Sequence, residues 1–126
     1  MSSNIKEFKI DITDGQLEEL DQKLKLGRWP ERETVDDWSQ GVPLNYMQDV
    51  VEYWLNGYDW RSRESYLNEM PQFVGTYQGL EVHFIHYRSL HQDARPLIMT
   101  HGWPGSVVEF RKVIEPLANP TAFGGS

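Results

Sequence analysis

Cysteine is absent from the 126 residues. That excludes disulfides, thiolate zinc sites and a cysteine nucleophile together, and it fits a reducing compartment. Long apolar runs are missing too: nothing approaches the roughly 18 residues needed to span a bilayer. The opening MSSNIKEFKI has no apolar core of the kind a signal peptide carries. Positive charge is scarce, with 12 Lys and Arg against 19 Asp and Glu, for a net charge of −7. The cations are scattered rather than gathered into a stripe, which argues against phosphate neutralisation and so against nucleic acid as a partner. Repeats and low-complexity linkers are also lacking. These absences point to a soluble, cytoplasmic chain that engages neither nucleic acid nor membrane. What is present is aromatic weight, at 13%, with five Trp. The 39% apolar content and the length suit one folded domain, although a mean hydropathy of −0.60 is on the wet side.

The first half reads as helices. Phe8, Ile10 and Ile12 alternate with Lys9 and Asp11, as in a short extended segment with one buried face. Thr13-Asp14-Gly15-Gln16 has capping-box form, and Leu17, Leu20 and Leu24 follow as an apolar stripe that Gly27 ends. A loop with Trp29-Pro30 and Trp38 leads to a second helix near Pro43, where a missing N–H costs least. Met47, Val50, Val51 and Trp54 form its expected inner face, and Gly57 closes it. Asp59 caps a third helix, with Trp60, Arg63, Tyr66 and Leu67 on one side and Pro71 beyond it.

The period then changes. Residues 73–77 and 80–87 read as strands around a tight turn at Gln78-Gly79. Leu97-Ile98-Met99, within 96–100, is a short continuous apolar run, as expected for a strand covered on both faces. Ser106 and Glu109 mark a second capping box, opening a helix whose apolar face is Phe110, Val113, Ile114 and Leu117, terminated by Pro116 and Pro120. Two segments follow, 1–72 helical and 73–126 strand-bearing. The fold class is α/β.

Between that strand and that helix lies Thr100-His101-Gly102-Trp103-Pro104-Gly105. A strand that runs into a glycine-rich turn and then a helix directs backbone N–H groups to the carboxyl end of a sheet, where open α/β sheets bind ligands. Gly102 permits a tight turn, and Pro104 removes one donor. That leaves the Trp103 amide free beside the positive end of the following helix. A fixed donor aimed at developing charge is what an oxyanion hole requires. A plain turn, with Trp103 filling core, uses the same residues.

His101-Gly102-Trp103-Pro104-Gly105-Ser106 resembles the His-Gly-X-Pro oxyanion motif of α/β-hydrolase-fold epoxide hydrolases. The upstream Arg28-Trp29-Pro30, Asp37-Trp38, Gly41-Val42-Pro43-Leu44, Tyr58-Asp59-Trp60-Arg61, Pro71-Gln72-Phe73 and Val82-His83-Phe84-Ile85-His86 look like the N-terminal region of the microsomal type. The likeness covers residues 5–126. It implies a helical leader followed by the first strands of an α/β-hydrolase sheet, and, unlike membrane-bound relatives, no N-terminal anchor. It also implies Trp103 as oxyanion donor through its amide and as pocket wall through its ring, with His101, Gly102, Pro104 and Gly105 supporting the turn. Trp103–Pro104 is expected to be cis. In such enzymes an Asp nucleophile opens the epoxide to an ester, a Tyr pair protonates the oxygen, and a His with an acidic partner activates water. None of those segments is expected in this chain. The implied partners are a small apolar epoxide and either the remainder of the hydrolase or a second copy, with no cofactor and no metal. Left without neighbouring strands, 96–100 would be an exposed edge, so the chain is not expected to stay monomeric.

Other candidates give way to plainer readings. His83 and His86, three apart on a strand, point to opposite faces and suit packing or hydrogen bonding better than one shared ion. His101 more simply braces its turn than acts as a base. Asp36-Asp37 and Glu18-Glu19 suit solvated surface, and Asp14 the first turn of a helix. Trp29, Trp38, Trp54 and Trp60 suit burial against a hydrolase core or lid rather than a ligand groove. Two kinds of rival stay open: another α/β hydrolase, such as a haloalkane dehalogenase or serine esterase, and a non-catalytic interaction module.

Overall fold

The computed structural model describes residues 4–125. Met1–Ser3, where the leader begins, and Ser126, where the tail ends, lie outside the described residues. The elements are β1 (Ile5–Phe8), α1 (Asp14–Lys25), α2 (Leu44–Asn56), α3 (Trp60–Leu67), β2 (Gln72–Tyr77) and β3 (Leu80–Ile85). A 3₁₀ turn at Val107–Phe110, α4 (Ile114–Ala118) and a second 3₁₀ turn at Pro120–Phe123 complete them. The chain divides into two compact units. One holds residues up to Ile10 together with those from Glu64 onward, and the other is Asp11–Arg63.

In the helical unit the local chemistry is explicit. The Thr13 hydroxyl accepts the Gln16 N–H at 3.3 Å, and the Gln16 side-chain oxygen accepts the Thr13 N–H at 2.9 Å, so the expected capping box forms. Leu17, Leu20 and Leu24 are half-buried. The Arg61 guanidinium donates to the Ile12 carbonyl at 2.6 Å and pairs with the Asp14 carboxylate, which ties the start of α3 to the start of α1. Pro43 caps α2 with no side-chain acceptor. Instead the Glu33 carboxylate reaches across 11 residues to accept the Leu44 N–H at 2.9 Å.

That bond to the Leu44 amide, aided by Glu33's own amide and by Arg32, holds the Glu33 carboxyl below the usual carboxylate range. A lowered value in the fold means the bond stabilises α2 fully above about pH 4.5 and is lost as pH falls through the folded value. Glu33→Gln should therefore flatten the acid limb of helix content followed by far-ultraviolet circular dichroism. Superimposable acid titrations of the two proteins would remove Glu33 from the capping role.

The other unit is built on an antiparallel sheet of order β1-β2-β3. Phe8 pairs with Gln72 and Ile5 with Gly75, while Gln72 pairs with Ile85 and Tyr77 with Leu80. Gln78 and Gly79 both have positive φ, 50° and 83°, the two-residue turn whose twist matches a hairpin. Gln72, only 5% exposed, donates its amide to the Leu67 carbonyl at 2.8 Å and bonds His83 Nε2 at 3.0 Å through its oxygen. His83 lies edge-on against Phe8 with ring centroids 4.8 Å apart, and Phe73 stacks on Phe84.

Several expectations need correcting. The extended segment stops at Phe8 rather than running to Ile12, because the Asn68 side chain takes both the N–H and the C=O of Ile10. Leu97, Ile98 and Met99 form no strand among the described residues, and Ile98 is 89% exposed. A covered strand needs ladder partners on both sides, and none lies beside these residues. The helix expected from Ser106 through Leu117 is broken in two. Pro116 cannot donate to a carbonyl four residues back, so a new helix begins at Ile114, which leaves Pro116 in a first turn where no N–H is needed. The Ser106 hydroxyl accepts from Val108 rather than from Glu109. Met47, Val50 and Trp54 do not form a buried inner face: each is exposed, because α1, beside α2, covers them only in part. Among the described residues no apolar side chain is buried, and Glu64 and Gln72 alone are, though neither fully.

Candidate functional site

The turn at residues 102–105 is closed by the Gly105 N–H donating to the Gly102 carbonyl at 2.7 Å. Trp103–Pro104, its central pair, is joined by a cis bond, as expected. That arrangement is a type VI turn. Pro104 has no N–H and the Gly105 N–H is spent within the turn. The Trp103 amide donates to no acceptor among the described residues. The turn thus leaves the Trp103 amide available, together with that of Gly102.

His101 braces this turn from outside. Its Nδ1 lies 3.1 Å from the Gly102 carbonyl oxygen, and because a carbonyl can only accept, Nδ1 carries the proton. The demand for glycine falls at 105 rather than 102. A side chain at Gly102 would meet nothing within 4 Å, whereas one at Gly105 would strike the Gly102 carbonyl and the Glu109 carboxylate. Glu109, four residues on, was legible in the sequence only as a capping partner; its place is over Gly105. The Trp103 side chain is 96% exposed. Its ring presents a free apolar face.

His83 and His86 have structural surroundings: His83 holds Gln72 and Phe8, and His86 lies edge-on to Phe73 at 6.3 Å. Among the described residues no group of three or more His, Asp or Glu is placed to hold a metal ion. Nor is any helix long and apolar enough to cross a membrane. Of the tryptophans, Trp38 packs edge-on against Tyr46 at 5.1 Å. Trp54 and Trp60 line an apolar cavity of about 440 Å³ within the helical unit, together with Ile12, Leu17, Leu20 and Val50.

Known proteins of similar sequence and shape bear on this turn. A family model described as the epoxide hydrolase N terminus matches residues 5–110. A putative epoxide hydrolase from Stigmatella aurantiaca is 53% identical over 118 residues, which is 94% of this chain and 27% of that protein. Juvenile hormone epoxide hydrolase 2 of Ctenocephalides felis is 38% identical over 95% of this chain and 26% of its own length. The solved structure of an Aspergillus niger epoxide hydrolase superposes with a TM-score of 0.81 at 34% identity, covering 91% of this chain and 30% of that one. The chain thus spans about a quarter of the length of the curated relatives it matches.

Proposed function

The chain belongs to the epoxide hydrolase N-terminal family, and from that premise we propose that it forms the N-terminal portion of an enzyme converting epoxides to vicinal diols. Its part in the reaction is the Trp103 backbone N–H, an oxyanion donor offered by the 102–105 turn. The observation that carries this reading is that amide, left without an acceptor among the described residues in a turn closed by the Gly105 N–H and braced by His101. The resemblance assigns the remaining chemistry to a further stretch of chain. There an Asp carboxylate opens the epoxide to an ester, a Tyr pair protonates the departing oxygen, and a His activates the water that releases the diol. As that water attacks, charge gathers on the ester oxygen, where a fixed N–H stabilises it. The exposed Trp103 ring supports a small apolar substrate, its face forming one wall of the pocket. The absence of cysteine and the acidic charge support a cytoplasmic setting.

Two measurements test the assignment. The isolated 126-residue chain should form no diol from styrene oxide above buffer, since a lone oxyanion donor gives little catalysis without a nucleophile. A chimera carrying residues 5–110 of this chain in place of the matching segment of the Stigmatella relative should form it readily. A folded chimera without activity, beside an active parent, would refute the proposal.

A further inference from the structure

Glu109 lies against the 102–105 turn and has no part in the proposed chemistry. The 3₁₀ turn that follows Gly105 sets its place. The Glu109 N–H donates to the Ser106 carbonyl at 3.1 Å, and the Ser106 hydroxyl accepts the Val108 N–H at 3.4 Å. With about three residues per turn, position 109 comes into line with 106, and helical side chains lean toward the preceding turn. The Glu109 side chain therefore reaches back along the chain and comes to rest on Gly105. A Cβ built at Gly105 would overlap Glu109 Oε1, and it would lie 2.6 Å from Glu109 Cδ and 2.8 Å from the Gly102 carbonyl oxygen. The carboxylate and that carbonyl thus converge on the space beside the Gly105 Cα.

No ion pair holds the carboxylate there. Glu109 makes neither a salt bridge nor a side-chain hydrogen bond among the described residues, and Arg111 donates instead to the Val108 carbonyl at 3.3 Å. Its contact is with the backbone of the turn, where a glycine hydrogen stands in the place of Cβ and faces the carboxylate oxygen. The turn has little else to fix its shape: Gly102 has open space beside it, and the Trp103 ring is 96% exposed. His101 braces the Gly102 end, and Glu109 bears on the Gly105 end. We infer that Glu109 is a positioning residue, which keeps the Gly105 N–H on the Gly102 carbonyl and so holds the aim of the Trp103 amide between them. The use made of that amide rests on the proposed function, whereas the clamp rests on the contact at Gly105. Aim matters because a donor misplaced by about 1 Å can cost about 10²-fold in rate.

Two substitutions test the clamp. Glu109→Ala removes it, and Glu109→Gln keeps its shape and one of its oxygens. In the 126-residue chain, nuclear magnetic resonance should show the Gly105 N–H exchanging with solvent about tenfold faster in Glu109→Ala, with the amides of residues 80–85 unchanged. Glu109→Gln should stay within about twofold of the parent. In the chimera, Glu109→Ala should lower kcat about tenfold at constant KM, and Glu109→Gln should keep kcat within about threefold. Unchanged Gly105 exchange in Glu109→Ala would overturn the inference, as would equal acceleration at 80–85, the mark of a general loosening. A change in KM rather than kcat would place Glu109 against the substrate and overturn it too. So would a Gln variant as impaired as the Ala variant, which would assign the effect to charge. A chimera that forms no diol before any change at 109 counts against the proposed function, and the exchange series then judges the clamp by itself.

Discussion

Trp103→Pro in the chimera should cut diol formation by about 10²–10³-fold while the protein remains folded, because it deletes the oxyanion donor along with the ring, whereas Trp103→Ala, which loses the ring alone, should keep most of kcat. Trp103→Phe is the matched control. It keeps the amide and an aromatic face, so it should stay within about tenfold of the parent, with any loss appearing in KM as the pocket wall changes. The contrast matters because Trp103 carries two proposed roles in one residue, one in the backbone and one in the side chain. A main-chain donor loses kcat, since it acts on charge that exists only as the ester is attacked. A pocket wall loses binding. If the proline and phenylalanine variants fall together, the amide is not a donor and the turn merely presents a ring.

The second large effect concerns the sheet. Gln72→Leu should lower the melting temperature by roughly 10 °C, corresponding to about 2–4 kcal/mol, in thermal unfolding of the 126-residue chain. Leucine fits the space, so the cost comes from the partners left behind: the Leu67 carbonyl at the end of α3 and Nε2 of His83 on β3. Each is a polar group in a half-buried setting that loses its bond, at roughly 1–3 kcal/mol apiece. The chain has no fully buried apolar side chain among its described residues to absorb such a loss. Gln72→Leu combined with His83→Phe should recover part of the stability, because one orphan is removed along with its partner. Unfolding curves for Gln72→Leu that match the parent's would mean that the bridge contributes nothing.

What could be read from the sequence was local. Thr13 and Gln16 find one another three residues apart, Asp59 accepts the Ser62 N–H at 3.0 Å, and Gln78-Gly79 adopts the positive φ values a hairpin turn requires. Such features depend on neighbours in the chain. The cis-proline turn at 102–105 belongs to this class, since its shape depends on residues next to one another in the chain. What was misread depends on groups distant in sequence. Leu97-Ile98-Met99 has the composition of a covered strand, yet a strand is defined by its partners, and composition says nothing of whether they are at hand. Ile10 alternates correctly with Phe8 but is claimed by Asn68, 58 residues away. Glu33 capping α2 from 11 residues upstream leaves no spacing signature at all. Pro116 was visible, but its effect was placed at the wrong end of a helix.

The pairing of β1 with β2 has a consequence for the order in which the fold assembles. Between Phe8 and Gln72 the chain leaves the sheet, builds all of residues 11–63, and returns to the adjacent position in the ladder. The β2–β3 hairpin closes over two residues. By loop-closure entropy the longer excursion costs about 2–3 kcal/mol more to close. The hairpin should therefore form early, with β1 joining it late. Amide hydrogens of residues 5–8 should then exchange with solvent sooner than those of 80–85, through openings that detach the edge strand and leave the hairpin intact. The N-terminal strand behaves as a clasp, fastened after the hairpin has formed and released before it.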